Sequence, residues 1–172
     1  MIAKKIRIIA SAFLLSMAFG VMSCGTDPVA TVASVATKGT MTATVDGQAF
    51  SANLSEVRNT SGVLAISGNT LSSSGATGNT KQINISGRIA AIGTYQLGTA
   101  GAISGNPILA TYADVSGTTT GTTGTATYGA NSGTLVITEL SATKVKGTFN
   151  FSGSSSAGKT ISVTNGVFDI NF

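Results

Sequence analysis

Gly39-Thr40-Met41-Thr42-Ala43-Thr44-Val45-Asp46-Gly47-Gln48-Ala49-Phe50 carries a strand signal and a turn signal side by side. Met41, Ala43 and Val45 alternate with Thr40, Thr42 and Thr44, the period of 2 that puts one face of a strand inside and one in water. Asp46-Gly47 then supplies the dipeptide favoured in a two-residue hairpin, because both central positions of that turn need a positive φ. The return strand runs from Gln48 to Asn53, with Phe50 as its large apolar residue. A hairpin of this kind, repeated in variants along the chain, predicts an all-β fold.

Outward from this hairpin, short alternating runs are separated by Gly, Ser, Thr and Asn. Val63 to Ser67 is a short strand. Ile83, Ile85, Gly87 and Ile89 share one face, leaving Gln82, Asn84, Ser86 and Arg88 on the other. Gly93, Tyr95 and Leu97 continue the pattern, and Ile108, Ala110 and Tyr112 form a further strand opened by Pro107, a residue tolerated at a strand start. Thr125 to Gly129 is weakly patterned, whereas Leu135 and Ile137, then Val145, Gly147, Phe149 and Phe151, give inward sets with Lys144, Lys146, Thr148 and Asn150 facing water. At the end, Ile161 and Val163 keep phase with Phe168, Ile170 and Phe172 only if Asn165-Gly166 adds a step, through a second hairpin or a bulge. A bulge is preferred, since it yields one long strand matching its neighbour Lys144–Ser152. Ser72–Thr80, Ser116–Gly124 and Ser152–Gly158 read as Ser/Thr/Gly surface loops. Gly-Thr pairs open strands at Gly39, Gly93, Gly133 and Gly147. No long stretch has helical periodicity, so the expectation is about ten antiparallel strands forming a β-sandwich or a closed β-barrel.

The first residues have a different grammar. Lys4, Lys5 and Arg7 precede an uncharged run from Ile8 to Met22, shorter than the ~20 apolar residues a membrane-spanning helix needs, which is the layout of a secretory signal. Val21-Met22-Ser23-Cys24 closes it and contains the only cysteine. These four residues resemble the bacterial lipoprotein box, and the resemblance implies cleavage before Cys24, whose sulfur carries a diacylglyceryl group. Ordinary secretion, with cleavage after Ala18-Phe19-Gly20, is the alternative; it leaves a free thiol in an oxidising compartment, which secreted chains usually avoid. Expected boundaries are therefore 1–23 for the signal, 24–38 for the lipidated terminus and tether, and 39–172 for a single domain. The near-repeat Val29-Ala30-Thr31, Val32-Ala33-Ser34, Val35-Ala36-Thr37 has a period of three, neither strand nor helix, and reaches at most roughly 46–50 Å from Gly25 to Lys38 if extended. A first strand docked on the domain is its alternative reading.

A family resemblance covers most of the chain after Lys38. The succession Met41 to Phe50, Gly93-Thr94-Tyr95, Gly133 to Thr138, Lys146 to Phe151 and Val163 to Asp169 resembles a family of bacterial β-rich lipoprotein domains of unknown function. It implies an all-β domain anchored by lipid and assigns no catalytic or binding position. By resemblance to lipoprotein sorting rules, Gly25 after the cysteine, in place of aspartate, implies the outer membrane, with either face open.

Charge and residue inventory narrow the chemistry. The full chain has 10 Lys+Arg against 6 Asp+Glu, but Lys4, Lys5 and Arg7 leave with the signal, so a net +1 remains. The remaining cations are scattered, without the basic stripe that nucleic acid requires. There is no histidine and no tryptophan. That removes His-based triads and, with Cys24 acylated, cysteine nucleophiles and the usual zinc sites. Gly-x-Ser-x-Gly and the acidic calcium loop are missing. The remaining catalytic route is a convergent carboxylate pair among Asp46, Glu56, Asp114, Glu139 and Asp169. Asp46 is expected in a turn, Asp169 on a solvent face, and Glu56 beside Arg58 as a surface ion pair. No cofactor and no metal is expected, and the membrane, through Cys24, is the one partner implied. The expected role is non-enzymatic, structural or binding. Two alternatives stand beside it: a lipocalin-like carrier lined by Phe149, Phe151, Phe168, Tyr95 and Tyr112, residues that equally fill an ordinary core, and an adhesive or glycan-binding module, for which Tyr95, Tyr112 and Tyr128 are a weak aromatic signal.

Overall fold

The computed structural model describes residues 38–74, 77–98, 107–118 and 124–172. Cys24, the signal and residues 24–37 of the tether lie outside them. The described chain is all-β: β1 (Lys38–Val45), β2 (Gln48–Ser51), β3 (Leu54–Thr60), β4 (Val63–Ser74), β5 (Thr77–Gly87), β6 (Gly93–Gly98), β7 (Leu109–Thr118), β8 (Gly124–Leu140), β9 (Lys144–Ser154) and β10 (Thr160–Asn171). Lys38, expected in the tether, already pairs with Asn171 as the first residue of β1.

All ten strands join one antiparallel sheet in the order β2-β1-β10-β9-β8-β7-β5-β4-β3, with β6 on the second half of β8. The sheet curls, and its two ends are consecutive in sequence. Ala52 N–H donates to the Met41 carbonyl at 2.9 Å, and Asn53 N–H donates to the Asn69 carbonyl at 2.8 Å. The segment 48–60 thus pairs with β1 in its first half and with β4 in its second, joining the ends of a barrel-like curl.

Alternation places the core inside that curl. Met41, Ala43, Val45 and Phe50 are buried as expected, and Asp46 and Gly47 both take a positive φ (47° and 80°) in the hairpin turn. Phe149 stacks between Phe151 and Phe168, with ring centroids 6.5 and 6.2 Å away. The terminal strand is continuous through Asn165-Gly166: Val163 faces Phe151 and Gly166 faces Phe149, so Thr164 and Asn165 together oppose Asn150. This is the expected bulge. Asn165 takes φ 51°, and Gly166 is bare because a Cβ there would press into the Phe149 ring.

Several expectations are corrected. Ser72–Thr80 is not a long loop; β4 and β5 run on as a ladder through Leu71↔Thr80 and Ser72↔Asn79 to Ser74↔Thr77. Accordingly, the strand starting at Val63 is 12 residues long and does not stop at Ser67. Ser116 to Thr118 belong to β7 and Ser152 to Ser154 to β9, leaving a tight turn at 155–158. The weakly patterned 125–129 and the strong Leu135/Ile137 pair form one 17-residue strand. Gly133 and Gly147 lie inside β8 and β9 and do not open them. Leu54–Thr60 forms a strand of its own, turned into β4 at Ser61-Gly62.

Candidate functional site

Inward positions are apolar through most of the curl and become polar at one end. On β5 the inward series runs Ile85, Ile83, Lys81, Asn79; on β7 it runs Ala110, Tyr112, Asp114; on β8 it runs Tyr128, Ala126, Gly124. The register sets these in rows. Ile83, Tyr112 and Tyr128 face one another across three strands, and Lys81, Asp114 and Ala126 form the next row toward the mouth. Val45, Asp46, Phe50 and Ile161 supply the opposite wall, enclosing a cleft of about 630 Å³ open to solvent. That volume lies within the ~300–1,000 Å³ typical of small-ligand sites. A second groove of about 320 Å³ adjoins it, sharing Thr125, Ala126 and Tyr128 and continuing past Ser155 and Lys159.

Asp114 is the polar centre of the cleft. Its Oδ2 accepts a long hydrogen bond from the Tyr112 hydroxyl at 3.4 Å and lies 4.0 Å from Lys81 Nζ. The Lys81 and Asp114 side chains are each about 40% exposed, so both keep hydrogen-bonding capacity toward the cleft. Burial, then the charge and hydrogen bond of Asp114, push the Tyr112 hydroxyl well above the ordinary tyrosine range and keep it a neutral donor. Its ring centroid is 6.1 Å from that of Tyr128, tilted by 37°. Asp46 holds the rim: its Oδ1 accepts from the Ser162 N–H at 2.8 Å while its own N–H donates to the Ser162 carbonyl at 2.9 Å.

The five acids expected as candidates sort into three places. Asp46 and Asp114 line the cleft. Glu139 and Asp169 meet outside the curl at Lys144, whose Nζ is 3.5 Å from Glu139 and 3.2 Å from Asp169, with Lys146 3.7 Å from the same Asp169. The hydrogen bond that the Lys144 ammonium donates to Asp169 is the largest influence raising it above its ordinary value. Glu56 pairs with Arg58 at 3.2 Å. Such exposed pairs add little to stability, and the Glu139–Lys144–Asp169 group is a solvated face across β8, β9 and β10. Among the described residues, no three His, Cys, Asp or Glu side chains gather as metal ligands. No helix among them is long and apolar enough to cross a membrane.

Of the five aromatic residues considered as a carrier lining, three are solid core: Phe149, Phe151 and Phe168. Tyr95 is tied to a loop, donating to the Ala91 carbonyl at 2.7 Å. Tyr112 alone reaches the cleft. Lys81 and Asn79 are not among the candidates read from the sequence, and Tyr128 enters there only beside Tyr95 and Tyr112, as a weak aromatic signal for glycan binding; the structure brings all three residues to the cleft. The signal for the first two was the Ile85/Ile83 phase, which points inward at 81 and 79 when carried two steps further.

Residues 37–169 match the family described as a domain of unknown function (DUF6252), and the chain belongs to that family. No curated protein and no solved structure matches the chain.

Proposed function

We propose that this member of the DUF6252 family is a lipid-anchored protein of the cell envelope, held to the outer membrane by acyl chains on Cys24, whose β domain works by binding and not by catalysis. The anchor rests on the sequence from Lys4 to Cys24, with its basic start, apolar run and lone cysteine. The binding role rests on one observation: charged and amide side chains gather at inward positions at one end of a curl whose inward positions are mostly apolar. Charged and amide side chains gathered on one wall of a cleft open to solvent offer a ligand a set of hydrogen-bonding partners, which supports a binding role.

The non-enzymatic reading is supported by the residue inventory. Histidine is lacking, and the two acids in the cleft are already engaged, Asp46 with the Ser162 backbone and Asp114 with Tyr112 and Lys81. A carrier of purely apolar ligands is disfavoured, since the phenylalanines fill the core and such a ligand would strip water from Lys81 and Asp114 without replacing its hydrogen bonds.

The anchor is tested by Cys24→Ser. Each buried CH₂ of an acyl chain contributes about 0.8 kcal/mol, and more than one chain is needed for firm anchoring. The variant is expected to move from the detergent phase to the aqueous phase in phase separation. Unchanged partitioning would rule out the lipid anchor.

A further inference from the structure

We propose that the mouth cleft binds a neutral oligosaccharide, with Tyr128 and Asp114 as its principal contacts; the inference rests on the binding role given above. Three features of the lining select that class. The first is charge. Asp46 and Asp114 oppose a negatively charged ligand and Lys81 opposes a cation, whereas an uncharged ligand meets neither repulsion. The second is hydrogen-bonding balance. Asp114 offers acceptor oxygens, the Lys81 ammonium offers donors, and the Asn79 amide offers both, within one wall. Vicinal hydroxyls, each both donor and acceptor, match such a mixed set; an amine or a carboxylate matches only half of it.

The third feature is the aromatic wall. Tyr112 is buried and braces the half-buried Tyr128, which stands where the cleft and the adjoining groove meet. A sugar ring has an apolar C–H face and polar edges, so it packs on a tyrosine ring while its hydroxyls reach the carboxylate and amide. Fatty chains satisfy the ring but strip water from Lys81 and Asp114 without replacing its hydrogen bonds. Thr125, Ala126 and Tyr128 line both volumes, about 630 and 320 Å³, so the two adjoin along the start of β8. Two adjoining volumes with Tyr128 between them fit several linked units better than one.

The test is calorimetric titration of the acylated protein in a sugar-free zwitterionic detergent. The probes are maltotriose, cellotriose, mannotriose and tri-N-acetylchitotriose, with spermidine, citrate and laurate as charged and apolar comparisons. At least one trisaccharide is expected to bind one-to-one, more tightly than its monosaccharide. Its affinity should fall tenfold or more in Tyr128→Ala and in Asp114→Asn and stay unchanged in Lys146→Ala. Circular dichroism of each variant establishes that it is folded, and the near-isosteric Asp114→Asn keeps the test valid if Tyr128→Ala is not. Absence of binding by every trisaccharide, or equal affinity in the folded variants, overturns the proposal. Saturable binding of spermidine, citrate or laurate that the same variants abolish, with no sugar bound, overturns the carbohydrate class while leaving the binding role intact.

Discussion

Phe149 and Lys146 lie three residues apart on one strand and face opposite ways, Phe149 buried between two rings and Lys146 about half exposed beside Asp169. Truncating a buried phenylalanine removes its transfer free energy and leaves a cavity, so Phe149→Ala should cost about 3–5 kcal/mol in a urea melt. Lys146→Ala should change stability by less than about 0.5 kcal/mol. Equal tolerance of the two would reverse the assignment of inside and outside. Tyr112 gives a different kind of test. Because its hydroxyl titrates higher in the folded chain than in the unfolded one, the unfolded chain releases its proton first as pH rises past about 10. Tyr112 therefore contributes nothing to the pH dependence below that point and an increasing loss of stability above it. Melts from about pH 8 to about pH 11.5 should show a steeper alkaline decline for the native protein than for Tyr112→Phe. Identical slopes would contradict the environment described for Tyr112.

At the level of elements, the strands that bury an apolar face were legible, and the strands held mainly by their ladders were not. β9 reads as a strand at sight because Val145, Phe149 and Phe151 recur every second residue. The outer ends of β4 and β5 have no such set: Ser72 pairs with Asn79 and Leu71 with Thr80, and Leu71 is 61% exposed. Backbone hydrogen bonds hold that end together, and these leave no mark on side-chain pattern. β8 was obscured for a second reason. Its register against β9 slips at Asn131, between Ala130 and Ser132, so Tyr128 and Leu135 face the same interior from even and odd positions. One strand with two phases reads as a weak strand followed by a strong one. The bulge in β10, by contrast, was legible because apolar residues flank it on both sides. Gly166→Ala should cost about 1–3 kcal/mol by forcing a methyl group toward Phe149. Asn165→Gly, which suits the positive φ, should be tolerated. Thermal melts of the pair check this; equal stability of both variants would show that the close approach to Phe149 does not constrain the strand.

For the whole molecule, the division of labour runs along the axis of the curl: apolar rows fix the fold, and the rows nearest the mouth carry recognition. Half of the candidate site was within reach of sequence reasoning, since Tyr112 and the acids Asp46 and Asp114 were singled out. Their convergence was not, because it depends on β5 and β7 pairing Lys81 with Asp114 beside two segments, Ser72–Thr80 and Ser116–Gly124, that look like loops. The account stands on the claim that the inward polar residues are kept for binding and are not needed for folding. The most direct measurement is the stability of the Lys81→Met/Asp114→Asn double variant, which removes both charges and keeps an acceptor for the Tyr112 hydroxyl, by urea denaturation. A pair as exposed as this one contributes about 0–1 kcal/mol and often nothing measurable, so neutralising both partners together is close to neutral. The account predicts a double variant within about 1 kcal/mol of the native protein; a loss of more than about 2 kcal/mol, with two-state unfolding retained, would show that the pair serves the fold and contradict the claim.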